Sequence, residues 1–177
     1  DIGCGVGRIT CDVARHYKKA LVVGVELSKR MIEQAHRLLV GDPLKRMIEV
    51  SLEKEGLGVV SAPSFGLTNI FLAQGSALTL PFAPNQFDLV TSTNLIDRVS
   101  DPEKMISEAV RILKPGGYFI LVDPFNWLQP ELWNRARTMD QFKTLLTQNK
   151  LEIDQAFDGL AYKELLDGRG GHLNWSV

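Results

Sequence analysis

Cysteine is scarce in this chain, with two in 177 residues, and histidine occurs three times. Cys4 and Cys11 lie seven apart. That spacing is neither a CxxC redox pair nor a zinc-ligand pattern, and two cysteines cannot staple a small fold. A disulfide scaffold and a metal site are thereby excluded, and the two thiols fit a reducing, cytoplasmic compartment. Charge of one sign is missing as well. Twenty Lys and Arg stand against 21 Asp and Glu, a formal net charge of −1. A nucleic-acid or anionic-membrane binder shows a basic excess instead. No apolar run approaches the roughly 20 residues that cross a bilayer. No internal repeat or low-complexity tract is visible. What is there is ordinary globular composition, 45% apolar and 23% charged, in a length suited to one domain spanning residues 1–177.

Periodicity sorts the chain into alternating elements. Apolar residues at Ile9, Val13 and Tyr17 predict a helix from Gly7 to about Lys18. Leu21 to Glu26 is an apolar run ending in an acid, the pattern of a strand buried on both faces of a parallel sheet. Ser28 caps a second helix, with Met31, Ala35, Leu38 and Leu39 inward and Gly41 at its end. Residues 42–68 read as an irregular insert broken by Pro43, Gly56, Gly58, Pro63 and Gly66. Strands follow at Asn69 to Ala73 and Phe87 to Thr93. Asp101-Pro102 starts a helix that Lys114-Pro115-Gly116-Gly117 stops, and Tyr118 to Val122 is a further strand. Thr138 with Gln141 is a capping box. Leu151 to Phe157 and His172 to Val177 read as two last strands.

The expected architecture is therefore α/β: a doubly wound, mostly parallel sheet between helical layers, a three-layer sandwich with one antiparallel C-terminal strand near Asn174 to Val177. The chain opens on Asp1 and directly on a glycine-rich turn of the kind that follows a strand. The first strand is thus expected to be missing, with the domain truncated at its N-terminus and at its C-terminus.

Gly3, Gly5 and Gly7 let the backbone turn tightly and approach a ligand closely. The helix behind them aims free N–H groups at the same place. Glu26 lies 19 residues beyond Gly7 at a strand end, where a carboxylate can accept bonds from two ribose hydroxyls. Turn and acid together point to a nucleoside site. The dinucleotide fingerprint G-x-G-x-x-G fails, because Arg8 stands where its third glycine belongs.

These residues resemble the class I S-adenosylmethionine-dependent methyltransferases. Asp1-Ile2-Gly3-Cys4-Gly5-Val6-Gly7 looks like the first family motif, and Val25-Glu26-Leu27-Ser28 like the segment whose acid holds the cofactor ribose. Gln74-Gly75-Ser76-Ala77 with Leu80-Pro81-Phe82 resembles the stretch beside the adenine, although Ser76 replaces the usual Asp. Phe87 to Val90 and Leu113 to Gly117 resemble later motifs. A narrower resemblance, through Asn94 to Val99 and Pro124 to Leu128, is to the mercaptohistidine methyltransferase domain of ovothiol biosynthesis.

The resemblance implies S-adenosylmethionine as cofactor, a small-molecule methyl acceptor, and no metal. It assigns Asp1, Gly3, Cys4, Gly5 and Gly7 to the methionine end, Glu26 to the ribose, Leu27, Ser76 and Ala77 to the adenine, and Asn94 to the methionine part. Methyl transfer is an in-line displacement that needs a base only for a nucleophile holding a high-pKa proton. Asp123 and Asp97 are the catalytic candidates, with Tyr162 and His172 behind them. The competing readings are a nicotinamide-dependent oxidoreductase and a catalytically silent nucleoside-binding scaffold.

Overall fold

The computed structural model describes residues 1–41, 47–52, 58–128, 130, 131, 136, 138–157, 159, 161–165 and 172–176. They gather in two compact units, one mainly Gly3–Ser76 and the other mainly Ala77–Tyr162.

The first unit holds α1 (Arg8–His16), β1 (Val22–Glu26), α2 (Lys29–Leu39), β2 (Met47–Leu52), β3 (Gly58–Pro63) and β4 (Ile70–Gln74). β1 and β4 run parallel, in register from Val22 opposite Ile70 to Glu26 opposite Gln74. Both helices pack on this ladder. Ser28 caps α2 as expected, accepting the Met31 amide. The inward stripe of α1 is displaced from the expected Ile9, Val13 and Tyr17. Thr10, Cys11 and Ala14 are buried instead, and Tyr17 is 54% exposed. The reason is close approach at Gly24 of β1. A Cβ there would lie 2.9 Å from Cys4 Sγ and 3.1 Å from Thr10 Oγ1, so small α1 side chains face the strand and the large ones flank them. Asn69 closes the other end of α1: its side-chain amide donates to the carbonyls of Ala14, Tyr17 and Ala20.

The insert read as irregular contains β2 and β3, an antiparallel pair from Met47 opposite Pro63 to Leu52 opposite Gly58. The rest of the 42–57 stretch, apart from β2, lies outside the described residues.

The second unit holds β5 (Phe87–Thr93), α3 (Pro102–Ile112), β6 (Leu113–Val122) and α4 (Met139–Gln148). β5 and β6 are parallel, with Leu89 to Thr93 opposite Tyr118 to Val122. β6 begins at Leu113, directly after α3, and the expected stop sequence Lys114 to Gly117 bulges out of the ladder opposite Asp88. Asp101 caps α3, accepting the Lys104 amide, with Pro102 at its first position. Thr138 and Gln141 form the expected reciprocal cap on α4. Ile2 bridges to Ser92 in parallel fashion, its amide donating to the Thr91 carbonyl. Ile96, Met105, Ile106, Ala109, Trp127 and Phe142 are buried in the core of this unit.

Leu151 to Phe157 is not a strand. Alternation alone does not make one without a ladder partner, and Phe157 is 66% exposed. The strands that do form are β7 (Ala161–Leu165) and β8 (His172–Ser176), which pair with each other. β8 lies where the C-terminal strand was expected, but among the described residues it pairs with β7 in a two-stranded sheet of its own and adds no antiparallel strand to the parallel ladders; Val177 lies outside the described residues.

A clamp fixes the Leu80–Phe82 segment to α3. Glu108 accepts the Leu80 amide at 2.7 Å, and Arg111 donates to the carbonyls of Phe82 and Leu80 and to both Glu108 oxygens. Arg111 thereby holds the Glu108 carboxyl below its ordinary value of 4.5. Arg111→Leu should cost about 2–3 kcal/mol at neutral pH, since it removes charge-assisted bonds. A group held low stabilises the fold above its unfolded value and loses that contribution as pH falls. The gap between the native chain and Arg111→Leu in urea unfolding should therefore shrink below about pH 4.5.

Two of the turn glycines separate backbone from packing effects. Gly5 has φ +54° and open space where a Cβ would stand; Gly7 has φ +85°, and a Cβ there would collide with the Leu39 side chain. Gly5→Ala should cost only the left-handed backbone penalty, about 1–2 kcal/mol. Gly7→Ala adds overpacking and should cost about 2–4 kcal/mol in the same unfolding measurement.

Candidate cofactor and active site

The glycine turn sits at the carboxyl end of β1. Gly3 and Cys4 both donate their amides to the Val25 carbonyl, at 2.8 and 3.0 Å, and the Val25 amide donates to the Asp1 carbonyl. The turn closes on itself through the Gly7 amide and the Cys4 carbonyl, and α1 starts at once. Gly3, Gly5 and Gly7 all have positive φ. That conformation is what three glycines permit and what other residues resist.

Glu26 is the hinge of the arrangement. Its Oε2 accepts the Gly5 amide at 3.1 Å, and its Oε1 accepts the Ser28 amide at 2.9 Å. One carboxylate thus ties the glycine turn to the head of α2. Each carboxylate oxygen has two lone-pair directions, so one remains on each after these bonds. The Glu26 carbonyl receives the Gly75 amide at 3.0 Å, which brings the end of β4 to the same edge. Ser76, half-buried, follows directly. Leu27 projects from this edge, 68% exposed, so it is not a core residue. Its carbonyl accepts from the Gln74 side chain.

Asp1 differs in detail from a freely presented acid. Its Oδ2 accepts the Thr10 hydroxyl at 2.6 Å, which fastens it to α1. Thr10 is fully buried. No sequence signal marks it, because its partner is set by the turn and not by helical spacing. Cys4 is buried, and burial pushes its thiol up to about 11. It is a neutral packing group beneath the turn, with no nucleophilic role at ordinary pH.

In the second unit, Ala77 is half-buried at the start of the segment that the Glu108–Arg111 clamp holds. Asn94 is the residue after β5, exposed, with φ +54° and its amide on the Val122 carbonyl. It stands at the carboxyl edge of the β5–β6 ladder, where ligands of open parallel sheets bind.

The same edge brings together the two catalytic candidates. Asp97 lies four residues past β5 and is fully buried; Asp123 is the residue after β6 and is 2% exposed. Asp97 Oδ2 accepts the Asn126 amide at 3.0 Å, and Asp123 Oδ1 accepts the Phe125 amide at 2.8 Å. Arg98 Nε lies 3.3 Å from Asp97 Oδ1. Burial, with the Asp97 charge second, pushes the Asp123 carboxyl up to about 7; burial also raises Asp97, against the pull of Arg98. Tyr162 and His172 fall on β7 and β8. Among the described residues, no group of three His, Cys, Asp or Glu is placed to hold a metal. No described helix is long and apolar enough to cross a membrane.

The chain is 32% identical over 124 residues to a demethylmenaquinone methyltransferase of Symbiobacterium thermophilum, covering 70% of this chain and 41% of that protein. It is 32% identical over 139 residues to the ubiquinone/menaquinone biosynthesis C-methyltransferase UbiE of Pseudoalteromonas translucida, covering 78% and 51%. The chain thus spans about half or less of the length of these curated relatives. A solved SAM-dependent methyltransferase from Methanosarcina mazei shares the fold with a TM-score of 0.62 at 21% identity, over 99% of this chain and 87% of the other. Residues 1–121 match the family described as methyltransferase domain. With that match over more than half its length, the chain belongs to this family, the class I methyltransferases of Rossmann-like α/β fold, whose cofactor is S-adenosylmethionine.

Proposed function

We propose that the chain transfers a methyl group from S-adenosylmethionine to a small-molecule acceptor. The observation that carries the reading is Glu26, whose two oxygens are oriented by the Gly5 and Ser28 amides and retain acceptor capacity. The cofactor, when bound, supplies an electrophilic methyl group on a sulfonium. The chain's own residues bind and align. Glu26 accepts the ribose hydroxyls, the left-handed backbone at Gly3, Gly5 and Gly7 leaves room for the methionine end, and exposed Leu27 with Ser76 covers the adenine. Alignment of this kind is worth several kcal/mol of barrier without any covalent protein intermediate. Two relatives are named for quinone methylation, which supports a small acceptor.

The test is calorimetry with S-adenosylhomocysteine and, separately, with NAD. Binding of the first and none of the second is expected; the reverse overturns the reading. Glu26→Ala should weaken S-adenosylhomocysteine by about 10- to 150-fold, the worth of a charged acceptor of about 1.5–3 kcal/mol. It should also lower the thermal midpoint, because two backbone amides lose their partner. Glu26→Gln keeps one acceptor oxygen and turns an NH2 toward the other amide. It should therefore fall between the native chain and Glu26→Ala in both measurements. Turnover with demethylmenaquinol and with mercaptohistidine then distinguishes a ring carbon from a ring nitrogen as acceptor.

A further inference from the structure

Asp123 Oδ2 is buried without a hydrogen-bond partner among the described residues, and Asp97 Oδ1, equally buried, has only the Arg98 ion pair at 3.3 Å. The other oxygen of each side chain is satisfied by neighbouring amides of one turn, Asn126 for Asp97 and Phe125 for Asp123. Because the two amides are consecutive, the turn sets the two carboxyls side by side, and each acts on the other's ionisation. Two ionised carboxylates so placed repel, and a buried acceptor left unmade is costly. A single proton between them removes both difficulties: the protonated carboxyl donates and the ionised one accepts.

The segment that follows depends on the same pair. Asp97 receives two of its amides, Asn126 on the side chain and Leu128 on the main-chain carbonyl at 3.1 Å. Phe125 is held at φ +53° with its amide on Asp123. Its ring stacks on Trp127 and meets Phe142 of α4. Trp127 is 3% exposed, and its indole N–H donates to the Ala136 carbonyl.

We propose that Asp97 and Asp123 share one proton, and that this proton keeps the Asp123–Leu128 segment seated at the carboxyl edge of the β5–β6 ladder. The groups that face the pair among the described residues are Arg98, the only opposite charge, and the amides of Ile96, Asp97, Phe125 and Asn126. α4 meets the segment through Phe142 and brings no charge to it in these contacts. Arg98 favours ionisation of Asp97, so Asp123 carries the proton and donates it to Asp97. Burial raises Asp123 to about 7, and the Asp97 charge adds to the effect. The sign follows: a carboxyl raised on folding stabilises the fold at low pH and loses that contribution as pH rises through its folded value. Above about 7 the pair holds two charges and the segment is released.

The test follows carboxyl carbon resonances by NMR in the full chain, with Trp127 fluorescence as the second readout in a background carrying Trp133→Phe and Trp175→Phe. In the native pair one carboxyl should titrate near pH 7, and Trp127 emission should move to the red over the same range. Asp123→Asn keeps a donor toward Asp97 and carries no titratable proton. It should abolish the titration and leave the emission blue at every pH. Asp97→Asn keeps an acceptor for the Asn126 amide and removes the neighbouring charge, so the Asp123 midpoint should drop by about 1 unit. Titration of both carboxyls below pH 5, or an Asp123 midpoint unmoved by Asp97→Asn, overturns the shared proton. Emission that stays blue while Asp123 titrates overturns its hold on the segment.

Discussion

A turn made of left-handed glycines has no side chains with which to anchor itself, so its shape has to be imposed from outside. The Glu26 carboxylate does this by accepting the Gly5 amide on one oxygen and the Ser28 amide on the other. The turn, the end of β1 and the first turn of α2 are thereby tied to one side chain. The Gly75 amide on the Glu26 carbonyl adds the end of β4. The residue proposed to hold the ribose is also the residue that shapes the surface around it. On that proposal, affinity and local stability are coupled through one side chain.

What was legible in the sequence is what is decided locally. Ser28, Asp101-Pro102 and the Thr138–Gln141 pair mark helix starts because a cap acts on amides two or three residues away. The parallel strands were legible as apolar runs, and the glycine turn with Glu26 as a spacing. What was not legible depends on distant partners. The α1 stripe is shifted because Gly24 admits Thr10, with Cys4 beside it. The β2–β3 hairpin hides among residues whose glycines and prolines read as a loop. Leu151 to Phe157 alternates like a strand and finds no ladder.

The two acids show the same division. Each was legible as a candidate from its place after a parallel strand. That a single turn at Phe125 and Asn126 serves both is a property of the fold alone. Isolated, either would be an ordinary carboxylate. Together and buried, they change what the site can do with a proton, which no spacing in the chain records.

Phe125 holds a backbone conformation that a bulky residue adopts only under constraint. The constraint comes from the Asp123 carboxyl and the stack on Trp127 inside the segment, and from the ring of Phe142 on α4 outside it. The conformation of this turn therefore depends on a helix that begins more than ten residues later in the chain, so a change on the inner face of α4 reaches the carboxyl edge of the β5–β6 ladder through one ring.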